Sequence, residues 1–154
     1  MSQGPAPRAL SDAALSELLS AGRFGTLATN KSNGRPHLTT MLYHWDPEER
    51  IVRFSTTADR VKVRQLRKDP RAAVHVPGGD VWSFAVAEGE AEVSPVTSVP
   101  GDAVGRELLA MLPGDMRPEG GAAETVFLEQ QVAQGRVVLR LRVDRLYGTA
   151  LDVG

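Results

Sequence analysis

The sequence predicts a small, mainly antiparallel β-barrel with short peripheral helices, α+β in content but chiefly β. Three observations carry this expectation. Strand-length apolar or alternating segments recur, and strong turn signals separate them: Asn33-Gly34, Asp46-Pro47-Glu48 and Pro77-Gly78-Gly79-Asp80. No strand–helix–strand repeat of the parallel kind is present. At 154 residues the chain has the length of one domain, which buries roughly 70% of its unfolded surface.

Taken in order, residues 1–9 are polar and rich in Pro and Gly, and are expected to be a disordered tail before a domain over 10–150. Ser11 and Asp12 can cap a short helix, whose Leu15, Leu18 and Leu19 share one face up to Gly22. Arg23–Thr29 reads as a strand, and Asn33-Gly34 as a hairpin turn, because both residues tolerate positive φ. His37–Trp45 and Ile51–Thr56 follow as two more strands, which tight turns would join into a meander. A helix is expected from about Asp59, as cap, to Lys68, because Asp69-Pro70 forces an exit. Ala72–Val76 is a compact strand. Val81–Val93 is long enough to cross a barrel, with a bulge at Gly89. Within the looser stretch 94–135, residues 102–112 and 122–134 read as helices. Arg136–Val143, alternating apolar and basic, is the last of about six strands.

Composition excludes several chemistries. Eighteen Lys and Arg against 19 Asp and Glu leave a net charge of −1, with no global field for nucleic acid or anionic membrane. The absence of Cys removes disulfides, thiolate metal sites and cysteine nucleophiles. No apolar run approaches the ~20 residues of a membrane span, and no signal core follows the start, so a cytoplasmic protein is expected. His37, His44 and His75 match no metal-binding spacing; His44 and His75 read as core or rim residues, and His37 opens a strand where a ligand could lie. Neither a Gly-x-Ser-x-Gly elbow nor a Gly-x-Gly-x-x-Gly turn is present.

Residues 59–71 hold six basic and two acidic side chains, a local +4. Arg60, Lys62 and Arg64 lie near a helix start, where the macrodipole opposes positive charge and an anion would relieve the conflict. A solvated helix face is the other reading of the same charges. Glu88, Glu90 and Glu92 project from one strand face, as a solvent face or as partners of the basic last strand. Trp82 is a core residue or an interface and stacking residue.

Five blocks then occur in order: Gly25-Thr-Leu-Ala-Thr29, Gly34-Arg-Pro-His-Leu38, Tyr43-His-Trp-Asp-Pro47, Arg60-x-Lys62-x-x-Gln65-Leu-Arg-x-Asp-Pro70 and Trp82-Ser-Phe-Ala-Val-Ala-Glu-Gly89. Together, over about Leu10 to Gly148, the chain resembles the pyridoxamine 5′-phosphate oxidase-like superfamily of flavin and deazaflavin oxidoreductases. The nearer likeness is to the branch that uses coenzyme F420, a deazaflavin with a phosphate and a polyglutamate tail. The resemblance implies a split β-barrel of the FMN-binding type and a homodimer with two cofactor sites at its subunit interface. It implies that Pro36, His37, Leu38, Thr39 and Thr40 line the ring, and that Ser55 and Thr56 lie along the tail. By the same likeness Arg60, Lys62 and Gln65 contact phosphate and tail, Gln65 standing where close relatives often carry Asn. Trp82 and Ser83 would come from the other subunit.

Three functions follow from these residues. The first is an oxidoreductase in which reduced F420 gives a hydride to a small organic acceptor, so that no acid–base dyad is required. The second keeps the fold with FMN, whose shorter phosphate needs fewer basic residues. The third is a non-enzymatic cofactor carrier. A nucleic-acid module is disfavoured by the charge balance and by the lack of aromatic residues among the basic ones. Residues 94–135 match the family poorly and are expected to shape the substrate side.

Overall fold

The computed structural model describes residue 4 and residues 6–151. In chain order the elements are β1 (Pro7–Ala9), α1 (Asp12–Ala21), β2 (Phe24–Asn30), β3 (Pro36–Leu42), β4 (His44–Asp46), β5 (Ile51–Thr57) and α2 (Val61–Lys68). Then come β6 (Arg71–Pro77), β7 (Phe84–Val93), α3 (Ala103–Ala110), a 3₁₀ turn (Gly114–Met116), α4 (Gly121–Ala133), β8 (Arg136–Tyr147) and β9 (Thr149–Leu151). β2 to β8 form one seven-stranded antiparallel sheet in the order β3-β2-β6-β7-β8-β5-β4.

The three-stranded meander is not formed. β2 and β3 pair through the loop 31–35, in which Gly34 alone takes positive φ, at 83°, and Asn33 accepts a hydrogen bond from the Arg35 amide. The segment expected as one strand over 37–45 breaks at Tyr43. β3 lies at one edge of the sheet, and β4, which starts one residue after the break, lies at the other. β5 therefore pairs with β4 and β8 and not with β3. A chain that crosses from edge to edge within one residue curls the sheet on itself, and the product is a split β-barrel.

Inward-facing Leu27, Val52, Phe54, Val74, Val76, Ala85, Ala87, Val137, Leu139 and Leu141 fill the curl. Alternation places them there, because successive side chains of a strand point to opposite faces. α1 closes the core with Leu15 and Leu19, and α2 with Val63 and Leu66. The expected Ser11 cap is present, its hydroxyl accepting from the Ala14 amide at 3.2 Å. Gly22 ends α1 for a steric reason: a Cβ there would press on the Tyr43 hydroxyl. That hydroxyl donates to the Leu19 carbonyl, and Trp45 donates Nε1–H to Ser16 at 3.0 Å. Both aromatic residues are buried, and together they lock α1 onto the barrel.

Other departures have equally local causes. Pro7–Ala9, expected within the tail, pair with β9 as a two-stranded ribbon, since β8 runs four residues past Val143 and leads into a new strand. Residues 1–3 and 5 lie outside the described residues. The strand expected from Val81 begins at Phe84, because the Asp80 carboxylate accepts from the amides of Trp82 and Ser83 and holds 80–83 as a turn. Gly89 does sit at a register break in the β7–β8 pairing, where a Cβ would collide with the Arg142 carbonyl. Glu88, Glu90 and Glu92 face Arg145, Arg142 and Arg140 across the ladder, so they are cross-strand partners of the basic strand.

The segment 94–135 packs on the outer face of β5 and β8. Asp102 starts it, accepting from Thr97 Oγ1 and from the amides of Ser98, Val99 and Gly105. Its other anchor is Glu107, which takes hydrogen bonds from Arg53 at 2.8 Å and from Arg140 at 2.6 and 2.7 Å. Burial alone would raise the Glu107 pKa, but the hydrogen bonds and charges of Arg140 and Arg53 outweigh it and hold the carboxyl below its ordinary 4.5.

A depressed carboxylate contributes stability that is complete above its unfolded pKa and is lost as pH falls through the folded one. Glu107→Gln is therefore expected to lower stability at pH 7 by about 1–3 kcal/mol. Thermal melts of both proteins at pH 7 and pH 3 check this: the gap between them should narrow in acid.

Candidate binding site at β3 and α2

α2 begins with no side-chain cap. Arg60, not Asp59, holds the N-cap position and makes no capping hydrogen bond, because the Asp59 carboxylate is engaged by Thr57 Oγ1 at 2.7 Å. The Val63 amide turns back to the Arg60 carbonyl at 3.1 Å, which leaves those of Val61 and Lys62 to be satisfied from outside the helix. No acidic residue stands in that turn, while Arg67 and Lys68 close the far end.

The helix packs on β2 and β7, and its Lys62 and Gln65 reach across to β3. His37, Thr39 and Met41 share one face of β3, and two of them touch α2. Gln65 Oε1 accepts from Thr29 Oγ1 at 2.6 Å and from His37 Nδ1 at 3.1 Å. With the Gln65 oxygen on this side, His37 Nδ1 is the donor of the pair. Lys62 points inward and is 8% exposed, its Nζ donating to the Met41 thioether at 3.3 Å. Burial, and secondly the charge of Arg60, lowers the Lys62 pKa. Between the two contacts, Thr39 Oγ1 is buried without a hydrogen-bond partner.

Beside this ridge opens a cavity of about 850 Å³. His37, Gln65 and Val61 border it, with Lys31, Arg64, Lys68 and Arg71 as its cations. Its wall is stiffened at Asp69, which accepts from Arg71 through two nitrogens and from Asn30 Nδ2. The Arg71 hydrogen bonds, first among the causes, hold the Asp69 carboxyl far below the usual carboxylate range.

The expected site residues are thus divided. His37, Thr39, Lys62 and Gln65 come together. Pro36, Leu38 and Thr40 lie on the outer face of β3, so the five ring-lining positions straddle an edge strand and do not form one surface. Ser55 and Thr56 separate for the same reason: Thr56 is buried in register with Val137, and Ser55 faces the 94–135 segment. Arg60 is exposed at the cap and does not border the cavity. Trp82, 57% exposed, and Ser83 lie in the turn before β7, away from it. Of the other histidines, His75 is exposed and stacks on Phe84, and His44 has a buried, unpartnered Nδ1.

Asn30, Lys31 and Asp69 escaped the sequence argument. Their only signal was adjacency, to the Asn33-Gly34 turn and to the Pro that ends α2. Arg64, one of the three cations expected near the helix start, borders the cavity.

The sequence profile of the pyridoxamine 5′-phosphate oxidase family matches residues 11–150. Among solved structures, a conserved hypothetical protein of Mycobacterium tuberculosis superposes with a TM-score of 0.74 at 24% identity, covering 97% of this chain and 90% of its own. An F420 reductase superposes at 0.62 with 23% identity, over 85% of this chain and 94% of the other. A FAD-binding protein of Mesorhizobium loti superposes at 0.63 with 22% identity, over 95% and 97%.

The buried Lys62 makes a direct prediction. Its lowered pKa means that folding opposes its charge at neutral pH, and the penalty is relieved as pH rises through the folded value toward 10.5. Lys62→Met keeps the packing and removes the charge, so the ligand-free variant should melt at an equal or higher temperature than the parent. Differential scanning calorimetry at pH 7 checks it; a clear loss of stability would contradict the desolvation argument.

Proposed function

The chain belongs to the pyridoxamine 5′-phosphate oxidase family, and from that premise we propose that it is a cytoplasmic, homodimeric oxidoreductase that uses reduced coenzyme F420 to reduce a small organic acceptor. One observation supports the reading above others: a lysine buried against a thioether, on a helix with an uncapped first turn, beside a large basic cavity. An ammonium with so weak an acceptor, next to free amides, is an anion subsite waiting for its anion.

The residues fit a phosphorylated deazaflavin. The Gln65 side-chain nitrogen and the Val61 and Lys62 amides of the first turn supply donors, the Thr39 hydroxyl lies close by, and Lys31, Arg64 and Lys68 supply charge around a cavity of about 850 Å³. When bound, a reduced deazaflavin supplies a hydride from C5. The protein's tasks are then to bind, to orient and to keep water out. Gln65, fixed by Thr29 and His37, sets the position of the ring-side wall. His37, held to Gln65 through Nδ1, borders the cavity with the rest of its ring. Lys62 and Arg60 neutralise the phosphate. Trp82 and Ser83 act from the second subunit, and the exposed Phe24 and Leu38 on the outer face of β2 and β3 supply apolar surface for that contact.

FMN is the second reading, favoured by the flavin-binding neighbour and by the fact that Lys62 and the helix amides alone suffice for a short phosphate.

Titration with tailless F420, polyglutamylated F420 and FMN separates these readings by absorbance and affinity. Lys62→Ala is expected to weaken F420 binding about 10- to 100-fold, less so at high salt. Arg64→Ala should matter only for the polyglutamylated form. Equal affinities of parent and Lys62→Ala for both forms would remove the anion site. Turnover with enones, quinones and nitro compounds separates an enzyme from a carrier, and a monomer in sedimentation that still binds with full affinity would end the shared-site reading.

A further inference from the structure

A second cavity, of about 300 Å³, lies between the outer face of β5 and β8 and the helices of the 94–135 segment. It shares no lining residue with the basic cavity, although Ser55, which the family resemblance sets along the coenzyme tail, is part of its wall. Leu108, Met111, Leu112, Met116 and Phe127 make it chiefly apolar, with Leu42 at the β3 end.

Two polar groups on its wall are left without suitable partners. Gln131 is 7% exposed, and its side-chain amide makes no hydrogen bond among the described residues. Facing the cavity with no protein partner among the described residues, this amide is free to bond a ligand there. Arg136 also borders the cavity. Its guanidinium reaches only neutral acceptors, Gln134 Oε1 at 2.7 Å and Ser55 Oγ at 3.2 Å. No ion pair forms at Arg136 among the described residues, whereas Arg53 and Arg140, on the same sheet face, both bind Glu107.

An apolar chamber with one uncompensated guanidinium and one unbonded amide has a definite complement: a compact apolar body ending in a single carboxylate. The carboxylate accepts from Arg136 and from the Gln131 amide nitrogen, and the apolar part fills the space among Leu108, Met111 and Phe127. We infer that this cavity is a binding site for small monocarboxylates with an alkyl or aryl body. A ligand with a neutral head can hydrogen-bond there but leaves the guanidinium's charge uncompensated, and one with a cationic head is repelled.

Isothermal titration of the full chain with octanoate, octan-1-ol and octylammonium tests the assignment. Octanoate is expected to bind about tenfold or more tightly than either analogue. Arg136→Gln should abolish that preference while leaving octan-1-ol binding in place, which also reports that the cavity is intact. Gln131→Leu should weaken octanoate and strengthen octan-1-ol, and Arg64→Ala, in the other cavity, should change neither. Equal binding of octanoate and octan-1-ol, or octanoate binding that responds to Arg64→Ala and not to Arg136→Gln, would overturn the inference.

Discussion

Everything in this fold hangs on Tyr43, the single residue between β3 and β4. Two strands one residue apart in sequence occupy opposite edges of one seven-stranded sheet, so the sheet has no flat solution. The corner is held from both sides: the Tyr43 amide donates to the Arg23 carbonyl, and its hydroxyl reaches the end of α1. Burial raises the phenol pKa to about 12, so this donor stays protonated across the range in which the protein folds. The curl positions α1 and α2 over the core, and α2 in turn carries Lys62 and Gln65 to β3.

The individual elements were more legible in the sequence than their partners. Period, turn chemistry and the Ser11 cap located nearly every strand and helix, because these are local properties of the chain. The meander failed because pairing is not local. His37–Trp45 alternates well enough to read as one strand, and only the need to satisfy both sheet edges shows that it must bend. The false start at Val81 has a different origin, since one carboxylate, Asp80, can outcompete strand geometry by capturing two amides. Asp59 was misjudged for a similar reason: a good capping side chain caps nothing when a nearer hydroxyl holds it.

The site shows the same division. Residue type and order brought His37, Thr39, Lys62 and Gln65 under suspicion, and α2 does assemble them along β3. A linear motif carries no information about facing, however, and of Pro36-His37-Leu38-Thr39-Thr40 the strand sends His37 and Thr39 to the α2 side and the other three outward. Lys62 marks the limit most clearly. By charge alone it is one of six cations in a basic run; the family resemblance picks it out with Arg60, and its burial against Met41 then separates the two.

The manner in which residues 94–135 are attached has an evolutionary consequence. The segment adds no strand to the seven-stranded sheet; it is fastened by the Glu107 ion pairs and by a small apolar seam of Val104, Leu108 and Met111 on Val138. Beyond Ser94 and Thr97, which bond the β8 backbone, substitutions within it therefore leave the barrel's hydrogen-bond ladder intact, and insertions there do not shift the register of any strand. Lineages can remodel this appendage freely while the scaffold that holds α2 and β3 stays the same, so divergence should accumulate over 94–135 faster than in the strands beneath it.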